Sequence, residues 1–291
     1  MRKTKIENFD RTRGDVGNIM SLEHVNLFVP DQTVAAYFYA NVLGLTRDPY
    51  IEWGPRNMWI NAGKQQFHLP TGKPQILRGH VGIVVPKLSE LDARLRKTNS
   101  PLYRTCFKFT RHKHHISVSC PWGNRLKCFE RGAINEMELG IPYIEFEVPV
   151  GTAKGISSFY ERVLGCKSER KNNSCSIFIG RDQFLNYKEV KNFNSNYDGH
   201  HIAIYVSNFS GPHNFLESNN LITDETDQNQ YRFTKIIDPK TKRFLFEIEH
   251  EVRSLYHPMY ERPLINRNPD QSFFNYQKGR DAFFPAETDV K

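Results

Sequence analysis

The sequence predicts an α+β protein in which two tandem domains each contain a pair of β-α-β-β-β units. The first observation behind this prediction is an internal repeat: the pattern F-Y-x-x-V-L-G begins at Phe38 and again at Phe159, 121 residues later. The second is the alternation of polar and apolar residues where each unit opens, which is typical of a half-buried strand. Further landmarks keep nearly the same spacing, and a set in register indicates a duplicated domain. These other pairs begin at His24 and Tyr143, at His80 and His201, and at Cys120 and Asp238.

The repeat divides the chain into four parts. We expect a flexible leader at residues 1–20, a first domain at 21–131, a second domain at 140–251 and a C-terminal strap at 252–291. The leader is polar and lacks the apolar stretch of a secretory signal. The strap carries four prolines and seven aromatic residues, a composition too aromatic for a free linker. Because proline favours extended backbone, we expect the strap to lie along a domain surface.

The first unit shows the elements of the repeat in order. A strand at 22–29 places alternate side chains, His24 among them, on one face. Asp31 is expected to cap the following helix, whose apolar residues recur every four positions. Gly44 ends this helix, because glycine readily adopts the left-handed backbone of a helix C-terminus. Three short strands follow at 45–51, 57–62 and 65–69.

The second unit repeats this order. A strand is expected at 79–85, then a helix from the cap Ser89 to Lys97, and then strands near Phe107 and within 115–130. The third and fourth units, within 140–251, follow the same pattern. Because an isolated half-sheet exposes an apolar face, we expect the two halves of each domain to pair into one curved sheet, or cup. His24 and His80 would then lie on the same sheet.

Charge and composition exclude several classes of protein. The chain has 291 residues, with 40 Lys and Arg against 32 Asp and Glu and a net charge of +8. These charges are spread along the chain rather than gathered in one stripe, which argues against a nucleic-acid partner and fits a small anionic substrate. No apolar run approaches the ~18 residues of a membrane helix, so no membrane partner is expected. Five cysteines without a C-x-x-C pair indicate a reduced, cytoplasmic location.

The paired units, the F-Y-x-x-V-L-G helix and the histidine on the opening strand together resemble the vicinal oxygen chelate superfamily. That group includes glyoxalase I, the bleomycin and fosfomycin resistance proteins and the extradiol dioxygenases. The resemblance covers residues 20–250, and it implies a fold more strongly than a reaction because this scaffold carries many chemistries. Two tandem domains in one chain resemble the ring-cleaving dioxygenases in architecture.

The resemblance also implies a divalent metal held by inward side chains of the first and last strands of each half. Carried onto this sequence, the ligand positions of the first domain fall on His24, His68 and His80. The fourth position falls near Lys127, where the family has a glutamate, and an ammonium group offers a metal no lone pair. Three neutral imidazoles favour Fe(II) or Mn(II), with Zn(II) or Ni(II) as alternatives. A metal-free set of hydrogen-bonded core histidines stays open as well.

The second domain keeps fewer of these ligand positions. Tyr143 and Leu185 stand where the first domain has His24 and His68, and only His201 is retained. We therefore expect the first domain to hold the chemistry and the second to support it. The side chains expected to contact substrate are polar or basic and lie near the two predicted cups: His112, His114, Lys127, His201, Tyr231, Arg232 and Glu249.

Three functions fit these observations. The first is a divalent-metal-dependent enzyme that acts on a small oxygen-rich or aromatic substrate, either as a dioxygenase or as a glyoxalase-like lyase. The second is a metal-free protein that binds and sequesters a small molecule, as the resistance proteins do. The third is a structural subunit with a degenerate site, which the aromatic strap suggests. The three-histidine set favours the first function, and a homodimer is the assembly we consider for it.

Overall fold

The computed structural model describes residues 9–50, 56–98, 100–272 and 275–282. Its elements follow one order four times, namely a strand, a helical segment and three further strands. Within these ranges no helix is long and apolar enough to cross a membrane.

The helices are α1 (Gln32–Ala36), continued by a π-helix (Tyr37–Val42), α2 (Leu88–Arg96), α3 (Ala153–Arg162) and α4 (Ser210–Ser218), with 3₁₀ turns at Arg11–Gly14 and Ser100–Leu102. The strands are β1 (Ile19–Asn26), β2 (Thr46–Arg47), β3 (Asn57–Ala62), β4 (Gln65–Pro70), β5 (Gly79–Val85), β6 (Lys108–Arg111), β7 (Ile116–Ser119), β8 (Arg125–Glu130), β9 (Tyr143–Pro149), β10 (Ser168–Lys171), β11 (Ser174–Ile179), β12 (Gln183–Val190), β13 (His201–Val206), β14 (Ile222–Asp227), β15 (Gln230–Ile237) and β16 (Phe244–Ser254).

The strands form two eight-stranded sheets. The first sheet has the order β14-β15-β16-β13-β1-β4-β3-β2, and the second has the order β10-β11-β12-β9-β5-β8-β7-β6. In each sheet two β-α-β-β-β units join through antiparallel pairing of their opening strands, β1 with β13 and β5 with β9. The predicted α+β class and the pairing of such units are therefore confirmed.

The partners within each sheet differ from the prediction. The first unit pairs with the fourth and the second with the third, so His24 and His80 lie on different sheets. The prediction that they share a sheet is wrong. Each half-sheet leaves the edge of its opening strand unpaired, and more than one other unit could cover that edge. The predicted domains 21–131 and 140–251 therefore describe the repeat in the sequence. They do not correspond to the two sheets.

Local signals in the sequence account for several element ends. Asp31 caps α1 as predicted, because its carboxylate accepts hydrogen bonds from two backbone N–H groups of the first turn. Gly44 adopts a left-handed φ of +75°, which a side chain would strain. The prediction for Ser89 is wrong, since the N-cap of α2 is Lys87 and Ser89 lies inside the first turn. The predicted strand 45–51 is only two residues long as β2, and its last residue lies outside the described ranges.

The core lies between the two sheets, where α3 contacts β11 of the second sheet and β15 of the first. A buried hydrogen-bond network crosses this core: Tyr160 of α3 donates its hydroxyl to His250 Nε2 at 2.6 Å and contacts the hydroxyl of Tyr187. On the far side of each sheet, alternate strand residues point away from the helices and many are polar. These two faces, called here the open faces, carry the features that bear on function.

Both chain ends make contacts with the sheets. The predicted leader 1–20 includes the start of β1, and Lys167 Nζ donates to the backbone oxygen of Thr12 at 2.6 Å, while residues 1–8 lie outside the described part. At the other end β16 continues to residue 254, which takes up the first residues of the predicted strap. The strap then crosses the open face of the first sheet, where Arg262 pairs with the buried carboxylate of Asp48. The aromatic residues at 273, 274, 283 and 284 lie outside the described ranges.

Candidate metal centre

Three histidines converge on the open face of the first sheet. His24 lies on β1, His68 on β4 and His201 on β13, and strand register places Asn26 of β1 opposite both His68 and His201. One ring nitrogen of each histidine lies within 4.8 Å of those of the other two. The ring centroid of His24 is 5.5 Å from that of His68 and 5.6 Å from that of His201. The cluster therefore joins the first unit of the chain to the fourth.

A β-bulge orients His24. The register between β1 and β13 shifts between Leu22 and His24, so Glu23 is the extra residue on β1. The bulge lets Glu23 turn towards its neighbour, and its Oε2 lies 3.0 Å from His24 Nδ1. Because a carboxylate can only accept here, Nδ1 carries the proton and Nε2 keeps its lone pair. A carboxylate behind a histidine in this way is the usual support of a metal-bound imidazole.

The Nε2 atoms of the three histidines lack hydrogen-bond partners among the described residues. Among the described residues, Nε2 of His24 and Nε2 of His68 are buried without a hydrogen-bond partner. In the described part of the chain, Nε2 of His201 likewise has no hydrogen-bond partner, and the carboxylate of Glu251 lies 3.5 Å away. A buried polar atom left unpaired costs about 1–3 kcal/mol. Because the three rings also bring one nitrogen each within 4.8 Å of the others, the cluster fits a divalent cation, which accepts lone pairs.

Burial keeps these rings in the form that binds metals. Burial, aided by the neighbouring rings of His24 and His201, holds the pKa of His68 well below its usual range. Burial also lowers the pKa of His201, although the nearby Glu251 opposes that shift. Metal ligation requires the neutral imidazole, so no proton has to be removed from these two rings at neutral pH.

Carboxylates of β16 stand beside the histidines. Glu249 and Glu251 on β16 flank His201, with Glu249 Oε1 at 3.4 Å from its Nδ1. Arg232 on β15 pairs with both carboxylates and lies 2.7 Å from Glu249. The Glu249 side chain is 24% exposed, whereas that of Glu251 is 3% exposed. Glu249 is therefore the carboxylate that a bound molecule can reach.

Arg253 keeps two buried carboxylates ionised. Its guanidinium pairs with Glu23 and with Glu251. Burial opposes the ionisation of Glu23, but Arg253 and His24 outweigh it and lower its pKa to about 2. For Glu251 burial is again outweighed, by His201 and Arg253, and the pKa lies below its usual range. In this group of ion pairs beside the histidines, three carboxylates stand against two guanidiniums, and the excess negative charge favours a bound cation.

Trp59 on β3 holds two of the histidine rings in place. Its ring stacks on His68 with centroids 3.9 Å apart and planes 16° apart. It also meets the ring of His24 edge-on at 4.8 Å. Stacked and edge-to-face contacts of this kind add to the burial of the rings and restrict their rotation. The site is therefore held rigidly on strands rather than on loops.

The structure separates several predicted site residues from this cluster. His80 lies on β5 of the second sheet, so the predicted set of His24, His68 and His80 does not come together. Lys127 belongs to β8 of the same sheet. His112 and His114 are exposed in the turn between β6 and β7, beside the second sheet.

Tyr231 is the one predicted contact residue that faces the core. It is 1% exposed, and its hydroxyl donates to the backbone oxygen of Phe209 at 3.3 Å. Sequence reasoning in turn missed Glu251 and Arg253, although strand alternation already places them on the face of Glu249. It also missed Glu23, for which no signal existed because the bulge changes the side to which this residue turns.

No family model and no curated protein matches the sequence. Solved structures do match: a candidate dioxygenase from Bacillus subtilis aligns over 88% of this chain and 89% of its own, with a TM-score of 0.57 and 14% identity. Glyoxalase I from Zea mays aligns over 84% of this chain and 95% of its own, with a TM-score of 0.55 and 13% identity. The cppA protein of Streptococcus pneumoniae aligns over 82% and 100%, with a TM-score of 0.50 and 10% identity. At these identities the comparison shows the fold, which is the vicinal oxygen chelate fold that the sequence resembles.

Proposed function

We propose that this protein is a divalent-metal-dependent enzyme of the vicinal oxygen chelate type, acting on a small oxygen-rich or aromatic substrate. The observation that carries the proposal is the cluster of His24, His68 and His201, whose ring nitrogens lie within 4.8 Å of one another. Three imidazoles beside a carboxylate suit Fe(II) or Mn(II), with Zn(II) or Ni(II) as alternatives. When bound, such an ion polarises an oxygen of the substrate and stabilises negative charge on it.

The surrounding side chains divide the remaining tasks. Glu251 is buried and held by two guanidiniums, so it fixes His201 and does not take part in proton transfer. Glu249 is partly exposed and can accept a proton from a bound substrate. Arg232, paired with Glu249 at 2.7 Å, can then hold an anionic substrate oxygen.

Two reaction classes remain within this proposal. Likeness to a candidate dioxygenase fold favours oxygen chemistry on an aromatic diol. The carboxylate of Glu249 favours the second class, a glyoxalase-like proton transfer, because that reaction needs a general base. Replacing Glu249 by Gln separates them: a proton-transfer activity should fall by about 10²–10⁴-fold, whereas an oxygen-uptake activity that depends on chelation by the three histidines should persist.

The proposal is tested by metal analysis of protein purified without chelators. We expect about one equivalent of metal per chain in the native protein and in a His80→Ala control, and its loss in His24→Ala/His68→Ala. Oxygen uptake with catechols, and turnover of the adduct of methylglyoxal and a thiol, are then measured on the Fe(II)- and Mn(II)-loaded protein. Metal-free protein that retains a small molecule, with no metal uptake on reconstitution, would favour the sequestration function instead.

A further inference from the structure

The open face of the second sheet has a site at the place that corresponds to the histidine cluster. In the first sheet His68 on β4 lies opposite the residue two positions after His24. In the second sheet Lys127 on β8 lies opposite Gly82, two positions after His80. Lys127 thus stands where the first sheet has His68. The two sheets use one geometry with different chemistry.

The same register gives the other correspondences. His80 lies opposite Glu145 on β9, so the antiparallel ladder brings Gly82 opposite Tyr143, which takes the position of His201. Gly82 is required there, because a Cβ atom would come within 2.5 Å of the Tyr143 ring. The ring thus lies across the floor of the site. An imidazole, an ammonium and a phenol replace the three imidazoles, and an ammonium cannot bind a metal.

The ammonium of Lys127 is not neutralised. Among the described residues no carboxylate lies within ion-pair distance of Lys127 or of Lys188, which lies on β12 at the far side of this face. Of the nearby acids, Glu147 accepts from Arg125 at 2.7 Å, whereas Glu145, 3.6 Å from His80 Nδ1, is one negative charge beside the two lysines. Lys127 is half-buried between strands β5 and β7. A partly desolvated cation without a counter-charge favours an anionic ligand.

Aromatic rings line the path from the rim of this face to its floor. His112 stacks on His115 at 4.4 Å, and His115 contacts Phe129 at 5.5 Å. Phe129 lies 6.2 Å from Tyr143, whose ring is 5.4 Å from that of His80. The partly exposed rings of Phe129 and Tyr143 offer an apolar surface beside the Lys127 ammonium. This combination suits a flat ring that carries a negative charge.

His80 itself contributes no positive charge at neutral pH. Burial, followed by the positive charges of Lys127, Arg125 and Lys188, lowers its pKa to about 3. Its Nε2 forms a hydrogen bond with the Tyr143 hydroxyl at 3.1 Å. The positive charges that face a ligand at this site therefore belong to lysines and not to His80.

We propose that the open face of the second sheet is a metal-independent binding site for a small aromatic carboxylate. The Lys127 ammonium pairs with the carboxylate, and Phe129 and Tyr143 pack against the ring. Nothing in this site depends on the histidine cluster of the first sheet, so the chain would bind one ligand through a metal and another through an ammonium group.

The test is calorimetric titration of the full chain with 2-naphthoate in the presence of a chelator. We expect binding that weakens by about tenfold or more in Lys127→Met, since a hydrogen bond to a charged group is lost. Lys127→Arg should retain most of the affinity. Lys154→Met, which removes an exposed lysine of α3, is the matched control and should bind as the native protein does. The neutral analogue 2-naphthalenemethanol should bind at least about tenfold more weakly than 2-naphthoate.

Two results would overturn this proposal. One is unchanged 2-naphthoate affinity in Lys127→Met, and the other is equal loss in Lys127→Met and in the Lys154→Met control. A His24→Ala/His68→Ala variant is titrated in parallel and should bind 2-naphthoate normally. That variant removes the proposed metal site, so metal binding and 2-naphthoate binding are measured independently. Failure of the metal proposal can therefore be distinguished from failure of this one.

Discussion

Removing Arg262 from the C-terminal strap is expected to destabilise the first sheet. The Arg262 side chain is 3% exposed and that of Asp48 is 0% exposed, so Arg262→Met leaves a buried carboxylate without its counter-charge. Breaking such a pair from one side costs about 3–5 kcal/mol. Asp48 still accepts from Gln66 Nε2 at 2.6 Å and from the Tyr50 backbone at 2.9 Å. These two donors place the expected loss at the lower end, at about 3 kcal/mol.

The assay is urea unfolding at pH 7, followed by far-UV circular dichroism. Adding Asp48→Asn to Arg262→Met should recover much of the loss, because the double variant buries no unpaired charge. Arg181→Met is the surface control: this side chain is 79% exposed and pairs with Glu136, so its loss should stay below about 1 kcal/mol. A loss below about 1 kcal/mol for Arg262→Met would refute the reasoning that the strap is anchored by a buried ion pair.

Two further predictions concern buried histidines. Glu23→Gln should weaken metal affinity by about 10–100-fold while the histidines stay in place, because the Glu23 carboxylate raises the basicity of the His24 ring. Competition with a chromophoric chelator measures the metal affinity, and an unchanged affinity would contradict the prediction. Burial lowers the pKa of His250 to about 3, so the unfolded chain binds a proton below about pH 6.5 that the folded chain excludes until about pH 3. The free energy of unfolding should therefore fall as pH falls from about 6.5 to 3. Urea titrations at several pH values should show a smaller dependence of stability on pH in His250→Gln. The same dependence in the variant and in the native protein would count against a neutral buried His250 ring.

The β-α-β-β-β unit could be predicted because it is encoded locally. The strands predicted at 57–62 and 79–85 have the bounds of β3 and β5, since each is a short, almost wholly buried run with turn residues beside it. Asp31 acts through hydrogen bonds to its own helix, so its role needs no knowledge of the fold. In contrast, the choice of partner for each half-sheet depends on contacts between distant units, which a repeat offset does not record.

The candidate site follows the same division. His24 and His68 belong to one unit, and their proximity follows from the parallel pairing of β1 with β4 inside that unit. The sequence identifies His201 as a retained ligand position but places it in the second domain, because the repeat does not reveal the pairing of β1 with β13. Glu23 joins the site only through a bulge, a departure from strand alternation that arises when two strands pair.

The most direct test of the metal site is anomalous scattering from crystals soaked in Fe(II) or Mn(II). The account predicts one strong peak per chain, bonded to His24, His68 and His201 at about 2.0–2.2 Å, and none beside His80. A peak beside His80 without one at the cluster, or no peak at either place after reconstitution, would contradict it.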